Sequence, residues 1–301
     1  MHELHRLSNG AYNAARDCKR KFHYRYGLGL QRRGGDDSPA LNFGRLWHEV
    51  LARWFTTRTM DGMDGFIGRN ASSRDDLERC CAMLAGYIAR WPNLQVMSLH
   101  EQTIDVPIRN PETGRRSQRF TQFGFLDMLE LSQDGRVRLV EHKTAASIGG
   151  GYLEKLWSDS QITGYYAALR DDGIDVHSVV YDVALKPKIR QKKSEDEEEF
   201  YIRLGEWHMQ PEAYHREEVF ISEQQVSDWR EDVWAVTQDI LTARRTGYWY
   251  RNTSRCNDYF RLCEYSSLCQ NGAPEALINA EYETRESPSN NDIQQPEKPV
   301  F

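Results

Sequence analysis

Apolar residues recur along this chain at two spacings, and the spacing changes from one segment to the next. Phe43, Leu46, Trp47, Val50, Leu51, Trp54 and Phe55 follow the i, i+3, i+4, i+7 rule without a miss, which predicts an amphipathic helix. An earlier helix is expected from Ser8, as N-cap, to about Tyr26, ahead of Gly27 and Gly29. Gly34-Gly35-Asp36-Asp37 marks a loop. A third helix should begin near Ser72 or Ser73, with Asp75 and Asp76 in its first turn, and bury Leu77, Cys80, Cys81, Leu84, Ile88 and Trp91. Strands are expected near Thr103–Arg109, within Phe123–Thr144 and over Val176–Leu185, with a helix holding Gln161, Tyr165 and Leu169 before the last of them. Gln191–Glu199 reads as a charged loop, and Ser222 with Gln225 as a capping box for a helix carrying Val226, Trp229, Val233, Val236 and Ile240. No internal repeat is visible. Residues 1–281 read as a single domain and 282–301, with Pro288, Ser289, Asn290, Asn291 and Pro296, as a disordered tail. Helices, then a mixed sheet, then helices again predict an α/β core wrapped by helical additions.

Phe123–Thr144 carries the densest chemistry. Two apolar-rich runs flank Asp134-Gly135, which predicts a β-hairpin. With a three-residue loop, Gln133 to Gly135, Gly135 takes the left-handed position and Ser132 pairs with Arg136. That register sets Asp127 directly across from Glu141, with Lys143 two residues along on the same face, beside Leu129, Leu131, Val137 and Leu139. Two facing carboxylates repel unless a cation sits between them, so the hairpin reads as half of a metal site. A plain surface hairpin is the alternative, and a two-residue turn would move Asp127 to the other face.

With 301 residues the chain can hold one large or two small domains. A mean hydropathy of -0.74 and the lack of any long apolar run exclude a membrane span. Met1–Arg6 is polar and shows no leader, so a cytoplasmic, reducing compartment is expected, and the six cysteines are not expected to pair as disulfides. The net charge of -6 argues against a generally basic nucleic-acid binder. Nucleic-acid contacts must come from local patches: Arg16, Lys19, Arg20, Lys21, Arg25, Arg32 and Arg33, or Lys186, Lys188 and Arg190. Either patch can equally be a solvated face.

Three further groups of residues bear on chemistry. His48 lies at the rim of the apolar stripe of the second helix, within reach of a neighbouring site, and Gly44 one turn earlier would allow close approach of another backbone. A lone His there is more often structural; beside Asp127 and Glu141 it suits a divalent cation. Gln161 and Tyr165, four apart, project from one helix face and can hydrogen-bond Lys143 or a phosphate. Cys256, Cys263 and Cys269, with six and five residues between them, lie in a segment with few apolar positions and read as metal or cluster ligands. Cys80 and Cys81 fit a buried stripe, whereas Cys18, among Arg16, Lys19, Arg20 and Lys21, is assigned as the fourth ligand. Spacing leaves zinc and an iron–sulfur cluster both open.

Together these residues resemble the PD-(D/E)XK nuclease superfamily, and within it the RecB-like branch with a 4Fe-4S cluster, found in helicase-linked nuclease domains, CRISPR-associated exonucleases and phage proteins. The resemblance runs from about Ser8 to Cys269. Gly44-Arg45-Leu46-Trp47-His48 resembles the branch's Gly-x-x-x-His motif, Phe125-Leu126-Asp127 its aspartate strand, Glu141-His142-Lys143 its Glu-x-Lys, and Gln161-Ile162-Thr163-Gly164-Tyr165 its Gln-x-x-x-Tyr. One N-terminal cysteine plus three near the C-terminus matches its cluster pattern, although the branch often sets the second and third cysteines closer together. The resemblance implies a restriction-endonuclease-like mixed sheet flanked by helices, with N- and C-terminal segments joined by the cluster. It implies Mg²⁺ or Mn²⁺ on His48, Asp127, Glu141 and the carbonyl of His142, and catalytic roles for Lys143, Gln161 and Tyr165. The implied activity is a DNA exonuclease acting on single strands or ends in recombination, repair or DNA processing, with a helicase or recombination partner. A non-catalytic DNA-binding protein on a nuclease fold and a zinc-stapled nucleic-acid-binding module are the alternatives.

Overall fold

The structure, a computed structural model, describes residues 5–34, 38–98, 102–149, 151–152, 155, 158–186, 188–258 and 261–284. Of the expected tail 282–301, Tyr282–Thr284 are described and form a strand, while the rest of it and most of the expected Gly34–Asp37 loop lie outside the described residues. In chain order the elements are β1 (His5–Ser8), α1 (Asn9–Asp17), α2 (Lys19–Phe22), β2 (Leu30–Arg32), α3 (Pro39–Thr57), α4 (Met63–Asn70), α5 (Arg74–Arg90), β3 (Gln95–Ser98), β4 (Gln102–Arg109), β5 (Arg116–Leu126), β6 (Met128–Leu131) and β7 (Val137–Ala145). There follow α6 (Ser160–Asp171), β8 (Val176–Leu185), α7 (Glu197–His208), β9 (Tyr214–Val219), α8 (Glu223–Thr246), β10 (Asn257–Asp258), β11 (Arg261–Leu262), α9 (Ser266–Asn271), α10 (Glu275–Glu281) and β12 (Tyr282–Thr284). No described helix is long and apolar enough to cross a membrane. The described residues group into two compact units, those within Met1–Asn9 and Asp37–Trp234, and those within Gly10–Asp36 and Ala235–Phe301.

The first unit is built on a five-stranded sheet in the order β3-β6-β7-β8-β9, in which β7 and β8 run parallel and the other pairs antiparallel. A parallel pair needs a crossover, and α6 lies in it. Side chains alternate across the sheet. Met128, Val140, Val180 and Ala184 pack with Phe43, Trp47, Leu51, Cys80, Leu84 and Tyr87 of α3 and α5. Leu129, Leu139, Val179 and Val183 pack instead with Ile162, Tyr165 and Leu169 of α6. Covering on both faces explains why β8 is buried without a break from Ser178 to Ala184 rather than at alternate positions.

The stripe on α3 is buried as its spacing predicts, except that Trp54 is only partly covered. Ser38 caps it by accepting from the Leu41 N–H at 3.3 Å, and Pro39 opens it. Ser73 likewise starts α5, accepting from Asp76 N–H at 3.1 Å. Ser222 and Gln225 make the expected capping box, with Ser222 N–H on Gln225 Oε1 at 3.0 Å and Gln225 N–H on Ser222 Oγ at 3.2 Å. The end of the expected charged loop is helical from Glu197, because Asp196 and Glu199 form a second box.

Two expectations are corrected. Ser8–Tyr26 is not one helix: Ser8 ends β1, and the helix breaks at Cys18, which is extended at φ -160°, ψ 113° between α1 and α2. Residues His23–Gly27 then form a wider π-type turn. The run Phe123–Leu131 is not one strand either. It ends at Leu126 in a three-stranded sheet, β1-β5-β4, and resumes at Met128 in the five-stranded one. Asp127 stands at the break.

In the second unit β2 pairs with β12, and Tyr24, Leu30, Tyr265, Leu268 and Tyr282 form a small core with Cys263 and Cys269 packed against it.

Candidate active site

The β6–β7 turn adopts the expected three-residue loop. Ser132 N–H donates to Arg136 O at 2.9 Å, Gly135 N–H to Ser132 O at 2.9 Å, and Gly135 takes φ 80°, a region that costs a Cβ-bearing residue. Leu131 then pairs with Val137 and Met128 with Val140. One residue further the same register brings Asp127 opposite Glu141.

At the strand break Asp127 substitutes for ladder pairing. Its Oδ2 accepts the His142 N–H at 2.8 Å, while Oδ1 lies 3.0 Å from His48 Nδ1. That contact makes Nδ1 the protonated nitrogen and leaves the lone pair of the neutral ring on Nε2. Glu141, with a side chain 3% exposed, takes the Lys143 ammonium on Oε1 and the Gln161 amide on the same atom at 3.1 Å. Its second oxygen, Oε2, is buried and has no hydrogen-bond partner among the described residues. α6 is aimed by its N-cap Asp159, whose carboxylate accepts Gln161 N–H at 2.9 Å. Tyr165, one turn on, packs its phenol over β5: a Cβ added at Gly124 would stand 2.3 Å from the hydroxyl, so only glycine admits the ring there.

The electrostatics match this geometry. Burial, with the Asp127 charge adding, pushes the Glu141 carboxyl up to about 7. Burial would also raise Asp127, but the His48 hydrogen bond outweighs it and holds Asp127 below the usual carboxylate range. His48 is raised in turn, because Asp127 and Glu141 overcome the burial that would lower it. Lys143 is raised too: burial lowers it, but Glu141, Asp159 and Asp127 act more strongly. The site is a carboxylate pair short of positive charge.

All six side chains expected here, His48, Asp127, Glu141, Lys143, Gln161 and Tyr165, therefore belong to one neighbourhood. The His142 side chain leaves it for the opposite face, stacking on Phe55 with its Nδ1 3.4 Å from Asp182. Gly44 is not required for close packing, since an added Cβ would meet only Thr144 Oγ1, at an ordinary 3.7 Å. Asp159 was not anticipated; a carboxylate two residues ahead of Gln161 at a helix start was its signal.

A buried charge network on that opposite face was missed as well. Arg216 on β9 is bidentate to Glu130, at 2.6 and 2.7 Å, and reaches Asp182 at 3.1 Å. Arg138 adds a 2.7 Å contact to Glu130, and Tyr87 donates to Asp182. Its signal was a lone acid inside each apolar strand, Glu130 in Met128–Leu131 and Asp182 in Val176–Leu185.

Residues 6–270 match the family model of the PD-(D/E)XK nuclease superfamily. The chain belongs to that superfamily. Solved structures similar to this superfamily member include the protein SSO0001, at 12% identity, covering 90% of this chain and 88% of its own, with a TM-score of 0.38. A provisionally named exonuclease of Eubacterium rectale is 11% identical over 91% and 92%, with a TM-score of 0.45. A phage-related exonuclease of Haemophilus somnus 129PT is 12% identical over 67% and 82%, with a TM-score of 0.34. No curated protein matches the chain.

PD-(D/E)XK nucleases typically use Mg²⁺ or Mn²⁺. The orphaned Glu141 Oε2 beside Asp127 fits such an ion, because a hard cation takes carboxylate oxygens and would relieve the repulsion that raises Glu141. Among the described residues no group of three or more His, Cys, Asp or Glu side chains is already drawn into a metal cage. Asp127 Oδ1 and Glu141 Oε1 are engaged by His48 and Lys143 instead.

The second unit brings Cys18, Cys256, Cys263 and Cys269 near one another. Burial raises the Cys269 thiol, with the charges of Cys18, Cys263 and Cys256 adding. Cys263 N–H donates to Cys256 O at 2.8 Å, and Cys18 Sγ accepts Asn252 N–H at 3.4 Å. Cys80 is fully buried in the first unit's apolar core, with Cys81 packed against it.

Proposed function

We propose that this protein is a metal-dependent DNA exonuclease of the RecB-like branch, hydrolysing phosphodiester bonds on single strands or DNA ends. The observation that carries the reading is Glu141 Oε2, buried beside Asp127 with no partner among the described residues, and Lys143 on the neighbouring oxygen. Asp127, Glu141, the His142 carbonyl and His48 through Nε2 would hold Mg²⁺ or Mn²⁺. The ion, when bound, supplies Lewis-acid polarisation of the phosphodiester and lowers the pKa of water. Lys143 orients the attacking water and offsets negative charge as the transition state forms. Gln161, tied to Glu141, and Tyr165, seated on Gly124, position the scissile strand. Cys18, Cys256, Cys263 and Cys269 would hold a 4Fe-4S cluster, for which a set of four thiols suits the chemistry. Its part is structural, since it ties residues far apart in sequence. Action in the cytoplasm, alongside a helicase or recombination partner, completes the proposal.

The test is an end-labelled DNA assay in Mg²⁺ and in Mn²⁺. Cleavage should vanish in excess chelator and in Asp127→Ala, Glu141→Ala and Lys143→Ala, each with an unchanged circular-dichroism spectrum. Cleavage in excess chelator, or full activity of Lys143→Ala, overturns the assignment. DNA binding without cleavage in either metal replaces it with a non-catalytic role.

A further inference from the structure

Immediately beyond Lys143 the chain opens onto a cavity of about 370 Å³, lined by Pro39, Ala40, Phe43, Arg79, Thr144, Ala145, Ala146, Lys186 and Lys188. This volume lies within the range of small-ligand sites. Its walls are apolar where α3 and the end of β7 meet, and its cations come from the far end of β8 and from α5. Lys186 lies 3.5 Å above the Phe43 ring and pairs with Asp76 at 2.9 Å. Arg79 is tied to Asp75 at 2.7 Å and to the Ile189 carbonyl at 2.9 Å. Lys188 is exposed and has no hydrogen bond or ion pair among the described residues. The start of α3 adds the positive end of a nineteen-residue helix at Pro39 and Ala40.

An apolar wall under a cationic rim suits a group with one charged and one apolar part, as a nucleotide has. Phe43 and Thr144 lie on the α3 face of the sheet, opposite Glu141. The link to the site is α3 itself, whose His48 reaches Asp127 at 3.0 Å one turn beyond Gly44, which meets Thr144. Thr144–Ala146 follow Glu141 by three to five residues on or just past β7, roughly 10–16 Å at the rise of an extended chain. That is the span of a few nucleotides along one strand. We propose that this cavity binds a phosphate group one to a few nucleotides from the scissile bond, with Lys188 and Lys186 as its cations. The inference rests on the nuclease reading above. The phosphate belongs either to the bound strand or to a released 5′-mononucleotide.

Binding of a fluorescent oligodeoxythymidylate in chelator, where no cleavage occurs, tests it over 50–200 mM salt. Lys188 is the residue to change, because its removal strands no partner among the described residues. Lys188→Glu should weaken binding severalfold at low salt, and Lys188→Ala should lower the slope of log K against log salt by roughly 0.7, the loss of one single-strand phosphate contact. Ala146→Asp, which sets a negative charge on the exposed wall, should weaken binding in the same direction. Competition by 5′-dTMP distinguishes the sources. Loss of oligonucleotide binding with no dTMP competition assigns the cavity to the strand; competition that itself depends on Lys188 assigns it to the mononucleotide. Unchanged affinity and slope in both Lys188 variants overturn the cavity while leaving the nuclease reading intact. If wild type does not bind the strand but binds dTMP through Lys188, the cavity stands and the nuclease reading falls. If it binds neither, both fall.

Discussion

Arg216→Met removes the cation that holds two buried carboxylates across the central sheet. Glu130 is 0% and Asp182 1% exposed, so neither can turn to water once the guanidinium is gone. Arg216 opposes Asp182 in the β8–β9 ladder and makes three contacts of 2.6–3.1 Å to the two acids. Breaking a buried pair by deleting one partner costs about 3–5 kcal/mol, because the remaining charge stays desolvated. Two features hold the value toward the lower end. Glu130 keeps Arg138 at 2.7 Å, and Asp182 keeps the Tyr87 hydroxyl. Met keeps an apolar stem of similar reach, although the guanidinium placed 5.5 Å from the Trp91 ring centroid is lost. A loss of about 3 kcal/mol is expected, near 6–12 °C in Tm for a unit of this size. Urea unfolding followed by tryptophan fluorescence measures it as a shift in midpoint at constant m-value. A double-mutant cycle with Asp182→Asn should give a coupling of at least ~1 kcal/mol, since the two touch. A loss below about 1 kcal/mol, or strict additivity, would refute the claim that this network holds the sheet together.

His48→Ala should fold normally but bind the proposed Mg²⁺ or Mn²⁺ roughly 10- to 100-fold more weakly, with activity partly restored at high Mn²⁺; a variant that merely unfolds shows His48 to be structural. Changing any of Cys18, Cys256, Cys263 or Cys269 to Ser should bleach the visible absorbance near ~400 nm expected of the cluster, with about four irons per chain in the parent protein. One zinc and no iron would keep the staple and reject the cluster. Cys80→Ala and Cys81→Ala should keep the colour and cost only about 1 kcal/mol each. His208, 1% exposed and with neither ring nitrogen hydrogen-bonded among the described residues, is pushed down to about 4 by burial, with Arg79 adding. It is neutral when folded and protonates on unfolding below its ordinary value of 6.5, so its contribution is complete above that pH. The contribution is lost as pH falls from there toward 4, by roughly 3 kcal/mol in total. His208→Leu should flatten this acid limb in urea titrations between pH 7.5 and 4.5, and parallel profiles for the two proteins would contradict it.

What the sequence determined by itself was everything set by short-range periodicity. The stripe on α3, the caps at Ser73 and Ser222 and the limits of β8 follow from side-chain spacing and a few backbone-bonding residues. The β6–β7 register is of the same kind, because one glycine at φ 80° fixes the turn and the turn fixes every pair behind it, Asp127 and Glu141 included. The helix of Gln161 and Tyr165 was equally legible, and both residues arrive where four-residue spacing on one face sends them. Tertiary structure decided the rest. Nothing local says that the run Phe123–Leu131 must change sheets at Asp127; the break exists because β4 pairs only the first part and β7 only the second. Nothing local breaks the first helix at Cys18, whose thiol takes the Asn252 N–H from more than two hundred residues away. Glu130, Asp182 and Arg216 look like misplaced charges in their own strands and become a network only when β6, β8 and β9 lie in one sheet. Spacing along a chain reports which face a residue takes, whereas the charge that neutralises it comes from strands the spacing cannot see.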